Sequence, residues 1–374
     1  MKNSLFKKIY HAYVVKRHRI KNFRGGWLLA HVFLEDYKWV PLKKYHEVMK
    51  AHSRGWSYKY KKTLDINRKN FNKYLNNRDY YSLHPYNDVY SSWIDDKLTF
   101  KYILNGTVLT NNVPEYYFQI NEQGKIYKLM DYHENPENVD SQLIFDLLKK
   151  KGRLAFKKIK AEAGIGFIKA ESLENGNKFR VNGEIYEEKD IIKLIDSLRG
   201  YIVTEYLMPH PYFARFCDKS VGSLRCLVGR MFNGELKEIV TFMRLGTNQS
   251  GSIDNYNAGG VVVYLKNGKF NRGHILNLKT NEDEIIYSHP DNGLKLEGEF
   301  PNFKKVNELV KNLMDLMPQL SYVGLDICLT DKNELKIIEI NSLNSLAFQI
   351  DSPLYETPAA DFFKERLAAA DKNQ

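Results

Sequence analysis

Hydrophobic and polar positions change rhythm near residue 95 of this 374-residue chain. The first 90 residues are rich in Tyr, Lys, Asn and His and show no apolar–polar alternation longer than a few residues. Trp27, Leu28, His31, Val32, Leu34 and Glu35 fit a helix with one apolar side, and residues 45–50 fit a second, so this stretch predicts a small, mostly helical unit. Beyond it the pattern predicts a short helix at 95–104 and an extended aromatic run at 116–120 behind Pro114. A helix follows at 139–150 through Leu143, Phe145, Leu147 and Leu148. Strands at 153–160 and 166–171, a helix at 188–198 and a strand at 201–207 come next. Asn175-Gly176 and Asn182-Gly183 mark hairpin turns. After Ser220, strands separated by Asn-Gly and Gly turns dominate, interrupted by a helix at 304–317. From Glu365 on, the pattern is a helix end running into a polar tail. No internal repeat is present, and the fold class is α+β.

The most informative alternation lies in residues 322–341, YVGLDICLTDKNELKIIEIN. The polar loop Asp331-Lys332-Asn333-Glu334 separates two strand-forming runs, which predicts a hairpin. With the turn centred between Lys332 and Asn333, Asp326 lies opposite Glu339, Gly324 opposite Asn341 and Cys328 opposite Ile337. Leu325 then faces Ile340 and Ile327 faces Ile338 on the other side. One face is aliphatic; the other carries Asp326, Glu339 and Asn341, with Gly324 leaving room beside them. Two carboxylates directly opposite repel unless a cation compensates. Oxygen ligands with an adjacent amide suit Mg²⁺, which keeps waters and shares its shell with substrate phosphates.

Charge changes the picture of the N-terminal region. The chain carries a net +11, yet residues 1–80 hold 20 Lys and Arg against 5 Asp and Glu, while the remaining 294 residues hold 36 against 40. The excess either is simply a solvated basic surface or faces something anionic, such as lipid headgroups, a polyanionic glycan or nucleic acid. No nucleic-acid reading motif supports the last. Tyr58, Tyr60, Tyr74, Tyr80 and Tyr81 can stack on bases or sugars, although such aromatics more often pack between helices. No apolar run reaches the roughly 18 residues a membrane span needs, and no secretory leader pattern is present. Cys217, Cys226 and Cys328 are odd in number and lack C-x-x-C spacing, which argues against a disulfide framework and a zinc cluster and for a reduced, cytoplasmic setting.

Other candidates are weaker alone. Lys97 and Lys157 stand out upstream, the latter on a strand running into the small-residue loop Ala161-Glu162-Ala163-Gly164-Ile165-Gly166, where a lysine can hold a phosphate that the backbone approaches. The strand through Glu205, Tyr206 and Leu207 stops at Pro209, and backbone groups at such an end can pair with an adenine edge. Arg225 and Arg244 sit on strands leading to Asp254-Asn255-Tyr256-Asn257-Ala258-Gly259-Gly260, and guanidinium forks bind phosphate or carboxylate in bidentate fashion.

Taken in order, Lys97, Lys157 with its glycine loop, TEYL, SVGSLR, the R-L-G…DNYNAGG stretch, HPDNG, VGLD and EIN resemble the sugar-transfer-associated ATP-grasp family of exopolysaccharide and capsule biosynthesis, over about residues 95–345. The resemblance implies two α+β subdomains, 95–207 with a phosphate-covering loop and 208–374 with the metal-binding hairpin, behind the basic helical unit 1–94. It also implies ATP and Mg²⁺ as cofactors. Lys97, Lys157, Gly164 and Gly166 would lie at the phosphates, and Glu205, Tyr206 and Leu207 at adenine. Asp326, Glu339 and Asn341 would hold the metal, Arg225 would steady the transferring phosphoryl group, and Arg244 and Asn257 would line the acceptor side. His289 is a further candidate. The implied reaction is carboxylate–amine ligation through an acyl phosphate, with a carboxylated sugar or glycan and an amine as partners. A phosphotransferase acting on a sugar hydroxyl, or a polyanion-binding protein with a vestigial ATP site, are the alternatives. Residues 1–80 would permit peripheral contact with the anionic inner membrane face.

Overall fold

The computed structural model describes residues 2–18, 20, 23–160, 164–173, 176, 178–218, 220–251 and 254–372. Residues 161–163 of the glycine loop and Asn175 of one turn signal lie outside the described residues.

Residues up to 104 form short helices, including Lys2–His18, Phe23–Trp39, Tyr45–His52, Tyr58–Thr63, Asn77–Ser82, Ser91–Asp95 and Lys97–Leu104. The face that Phe23–Trp39 buries runs through Leu29, Ala30, Phe33 and Asp36, while Trp27 stays half exposed and stacks on His31. Tyr58, Tyr80 and Tyr81 are buried, so these aromatics serve packing. The helix expected at 95–104 begins at Lys97, because Asp96 caps it by accepting from the Leu98 and Thr99 amides.

Seven strands form a first antiparallel sheet: β1 (Tyr116–Ile120), β2 (Ile126–Lys128), β3 (Arg153–Lys158), β4 (Ile168–Leu173), β5 (Lys178–Val181), β6 (Glu184–Tyr186) and β7 (Tyr201–Glu205), in the order β2-β1-β7-β3-β4-β5-β6. Helices Ser141–Lys151 and Glu188–Ser197 place Ile144, Phe145, Leu148, Ile191 and Ile195 against Phe118, Leu154, Phe156 and Val203. The first of these helices has both ends specified locally. Asp140 accepts from the Leu143 amide at 3.2 Å, and Gly152 closes the other end at φ 77°, a conformation that costs glycine nothing.

A second antiparallel sheet contains β8 (Ser223–Arg230), β9 (Leu236–Leu245), β10 (Val261–Leu265), β12 (Gly273–Asn277), β13 (Glu282–Ile286), β15 (Tyr322–Leu329) and β16 (Leu335–Asn341), ordered β13-β12-β10-β9-β8-β15-β16. A short ribbon pairs β11 (Lys269–Phe270) with β14 (Gly298–Glu299). Because side chains alternate across a strand, Cys226, Val228 and Val323 point to the core shared with helix Phe303–Leu316 through Val306, Leu309 and Leu313. Leu227 and Tyr322 point the other way, into a cluster with Leu29, Phe33, Tyr80, Phe362 and Phe363. The N-terminal helices and helix Ala360–Lys372 thus share an apolar core with the back of this sheet. Asn87 stitches the contact: its side chain donates to the Tyr322 carbonyl at 2.7 Å and accepts from the Ser321 and Tyr322 amides.

The β15–β16 hairpin keeps the expected pairs Gly324–Asn341, Leu325–Ile340 and Asp326–Glu339. A bulge then shifts the register, so that Ile327 pairs with Ile337 and Cys328 with Lys336, instead of Ile338 and Ile337. One extra residue on β16 turns Ile338 and Glu339 toward the same side, and Ile338 leaves the aliphatic face for the cavity described below.

Candidate active site

A cavity of about 490 Å³ opens between the two sheets. Lys97, Lys157, Gly164, Glu205, Tyr206, Leu207, Arg225, Arg244, Asn257, Asp326, Glu339 and Asn341 all line it. Gly166 does not: it stands beside Lys158 and the Tyr201 hydroxyl, where a Cβ would lie 2.8 Å from that oxygen. His289 is buried away from the cavity and bonds the Gly246 carbonyl through Nε2 at 2.9 Å. Ala155, Ile165, Phe167, Leu207 and Ile338 supply apolar wall.

Strand order explains the electrostatics. Adjacent strands place Glu339, Asp326 and Arg225 in one cross-strand row, with Arg244 on the next strand opposite Ser223. Arg225 grips Asp326 with a two-point fork, Nε to Oδ1 and Nη2 to Oδ2, the latter at 2.9 Å. Arg244 Nη2 reaches the same Oδ2 at 2.9 Å and donates to Ser223 Oγ at 2.8 Å. Ser223 in turn donates to Asp254 at 2.7 Å. Burial alone would push the Asp326 carboxyl up, but the two guanidiniums outweigh it and hold the carboxyl below its usual range. These cations answer the repulsion that two opposed carboxylates create. On the other flank, Lys97 Nζ donates to Glu339 Oε1 at 3.0 Å from the first turn of its helix.

Lys157 is half-buried and has no ion-pair partner among the described residues. Burial lowers its pKa, with the neighbouring Lys97 charge acting in the same direction. A cation left without a counter-charge inside a cavity is suited to an incoming anion. Glu205 closes β7 and accepts from the Glu115 amide at 3.2 Å; desolvation raises its pKa. The chain then crosses between sheets, anchored by His210 N to the Leu329 carbonyl and Asp331 N to the Met208 carbonyl, each at 3.1 Å.

The donor set suits a hard divalent cation. Among the described residues, Glu339 Oε2 and the Asn341 side chain take no hydrogen bond, and Asn341 Nδ2 is buried without a partner. Asp326 uses three of about four acceptor positions on its guanidinium contacts. Asn341 is held in place by the next residue: the Ser342 amide donates to Asp95 at 2.8 Å, and its hydroxyl bonds the same carboxylate.

Sequence reasoning passed over Asn344 and did not single out Ser223. Asn344 accepts from Arg225 Nη1 at 3.0 Å and lines the cavity. A Cβ on Gly324 would lie 2.0 Å from its Oδ1, so the glycine is what allows this contact. The signal was present as the second Asn of EINSLN, three residues past Asn341.

The cavity wall formed by Tyr256 and Tyr264 rests on a buried ionic cluster. His274 bonds Asp283 through Nδ1 at 2.6 Å and Asp351 through Nε2 at 3.2 Å. Tyr256 donates to Asp283 at 2.6 Å, and Arg272 holds Asp351 at 2.7 Å. Burial lowers the His274 pKa, yet its two carboxylates outweigh burial and raise it above the ordinary value near 6.5. A raised folded pKa stabilises fully below the unfolded value and loses that contribution as pH rises through the folded one. His274→Gln is therefore expected to cost roughly 1.5–3 kcal/mol at pH 5.5–6 and measurably less at pH 9. Urea unfolding of both proteins at the two pH values checks this, and an equal cost at both would show that the imidazolium charge contributes nothing.

The sequence model of the family described as "Sugar-transfer associated ATP-grasp" matches residues 75–357, about three-quarters of the chain. No curated protein matches it by sequence. Similar solved structures include D-alanyl-alanine synthetase A from Vibrio cholerae O1 biovar eltor, at 12% identity over 76% of this chain and 66% of that one with a TM-score of 0.43. Another is the ATP-grasp ligase PsnB with its minimal precursor, at 13% identity, 76% and 63% coverage and a TM-score of 0.41. A third is the ADP complex of purK, N5-carboxyaminoimidazole ribonucleotide synthetase, at 12% identity, 68% and 46% coverage and a TM-score of 0.38. The chain thus spans about half to two-thirds of the length of these solved proteins. Two antiparallel sheets enclosing a lysine- and arginine-lined cavity, together with a family match of this extent, place the chain in the sugar-transfer associated ATP-grasp family.

Proposed function

We propose that the protein is an ATP-dependent carboxylate–amine ligase acting on a uronic-acid-containing glycan or its precursor in capsule or exopolysaccharide biosynthesis. The observation that carries the reading is the meeting, in one cavity, of Lys97, Lys157, Arg225 and Arg244 with the oxygen donors of Asp326, Glu339 and Asn341. In this reading the 95–207 and 208–374 segments clamp ATP between them. Lys97 and Lys157 hold its phosphates, the loop at Gly164 covers them, and Glu205, Tyr206 and the Leu207 backbone meet adenine. Asp326, Glu339 and Asn341 would hold Mg²⁺, which when bound neutralises charge on the β- and γ-phosphates. A substrate carboxylate oxygen attacks the γ-phosphorus and ADP leaves. The amine nitrogen then attacks the acyl carbon, phosphate departs, and the nitrogen loses a proton to give the amide. Arg225 stabilises charge on the phosphoryl group in flight, while Arg244 and Asn257 orient the acceptor. No side chain need act as nucleophile. Among the described residues no helix is long and apolar enough to cross a membrane. The reading places the enzyme in the cytoplasm, where glycan precursors are assembled.

Incubation with Mg-ATP, hydroxylamine and a panel of uronic acids is expected to give carboxylate-dependent ADP together with hydroxamate, since hydroxylamine traps acyl phosphates. A phosphorylated sugar stable to hydroxylamine would replace the ligase with a phosphotransferase.

A further inference from the structure

A second groove, of about 360 Å³, lies between helix Tyr58–Thr63 and the turn joining β12 to β13. Its wall includes Trp39, Lys44, Lys59, Lys62 and Lys279. Trp39 is 70% exposed, unusual for so large an apolar ring, and Lys44, Lys59 and Lys279 have no ion-pair partner among the described residues. Two acids also line the groove, Asp36 bonded to groups of the N-terminal helical region and Glu282 paired with Lys62 within the groove, against four lysines. Asp36 is buried and accepts from Ser57 Oγ, the Tyr58 and Lys59 amides and His52. Glu282 faces Lys62 at 3.5 Å. The groove therefore presents net positive charge beside an open aromatic face.

Its position ties it to the cavity described above. By anchoring the Lys59 amide, Asp36 fixes the start of the short helix, and Lys59 Nζ extends to Asn257 Oδ1 at 3.5 Å. Asn257 lines the main cavity, so one side-chain contact separates the two spaces. Tyr60 of the same helix bonds Ser345, another residue of the main cavity, at 2.8 Å. We infer that the groove is an extension of the acceptor site that binds an acidic oligosaccharide, with one sugar carboxylate in the main cavity and the following residues of the chain along Lys59, Lys62, Lys44 and Lys279. The inference rests on the ligase reading for the orientation of that chain. Ammonium groups spaced along a groove match carboxylates repeated along a polyuronate, and an exposed indole offers a flat apolar face to a sugar ring while its N–H stays wet. A bilayer is a flat surface and would not enter a concavity; a phosphate-rich nucleic acid would compete for the same charge.

The test is binding of oligogalacturonates and hyaluronan oligosaccharides of one to six residues, followed by calorimetry and by Trp fluorescence, for the full chain, Lys44→Glu/Lys279→Glu and Trp39→Ala. Affinity is expected to rise at least tenfold from monomer to hexamer. In both variants that gain should vanish, with ATP affinity and thermal midpoint unchanged. Neutral maltohexaose should not bind. Length-independent binding, or a length dependence that survives both variants, overturns the proposal. So does loss in the variants of binding to phosphatidylglycerol vesicles or single-stranded DNA with oligouronate binding intact. Hydroxamate is scored in parallel. Hydroxamate without length dependence removes the groove and keeps the ligase; length dependence without hydroxamate removes the ligase and keeps the groove.

Discussion

Asp326→Asn is expected to be the most destabilising conservative substitution in the site, at about 3–5 kcal/mol. The carboxylate is buried and carries contacts from Arg225 and Arg244 at once, so the amide leaves Arg225 without its counter-charge and Arg244 with only Asp254, 3.9 Å away, and turns an N–H toward one of them. Urea denaturation at pH 7 measures the loss. Two further results separate this cause from mere mispacking. Because the folded carboxyl titrates below its usual value of 3.8, its contribution is present above that value and fades as pH falls through the folded pKa. The gap between wild type and variant should therefore narrow in acid. Adding Arg244→Met to Asp326→Asn should recover part of the loss, a coupling that independent sites would not show. A gap that stays constant with pH would mean that the ion pairs contribute little.

Glu339→Gln should have the largest effect on turnover, a fall of roughly 10²–10³-fold in ADP formation, with stability changed far less, since this side chain is only half-buried and its Oε2 takes no hydrogen bond among the described residues. The substitution keeps shape and removes the charge that meets Lys97 and, in the proposed reading, the metal. Electron paramagnetic resonance of Mn²⁺ in the presence of ADP gives a second readout that does not depend on the acceptor: bound Mn²⁺ should be lost in the variant. Undiminished turnover and Mn²⁺ binding would move the metal away from the hairpin.

These expectations are only partly visible in the residues themselves. The hairpin at 322–341 was legible because a short polar loop and period-two alternation specify pairing locally, and the Gly324–Asn341 and Asp326–Glu339 pairs follow from counting. The bulge was not, because an extra residue leaves no mark in an all-aliphatic run such as Ile337-Ile338. The helix expected at 139–150 forms at Ser141–Lys151, its apolar face legible in the sequence and its ends set by an Asp cap and a glycine stop. The positive excess of residues 1–80 followed from counting charges, whereas the groove beside Trp39 did not.

By itself, then, the sequence determined the α+β class and the main elements beyond residue 95, the order of the site motifs, and that two facing carboxylates needed cations nearby. Only the tertiary structure decided which cations. Strand order β9-β8-β15-β16 brings Arg225 and Arg244 to Asp326, and a helix 242 residues upstream delivers Lys97 to Glu339. It also decided that the N-terminal helices share a core with the back of the second sheet and set Lys59 against Asn257. The reason is physical: turns, caps and alternation act over a few residues and are written in neighbouring letters. Strand order and helix docking are chosen by the burial of whole apolar faces, which a linear pattern presents without naming their partners.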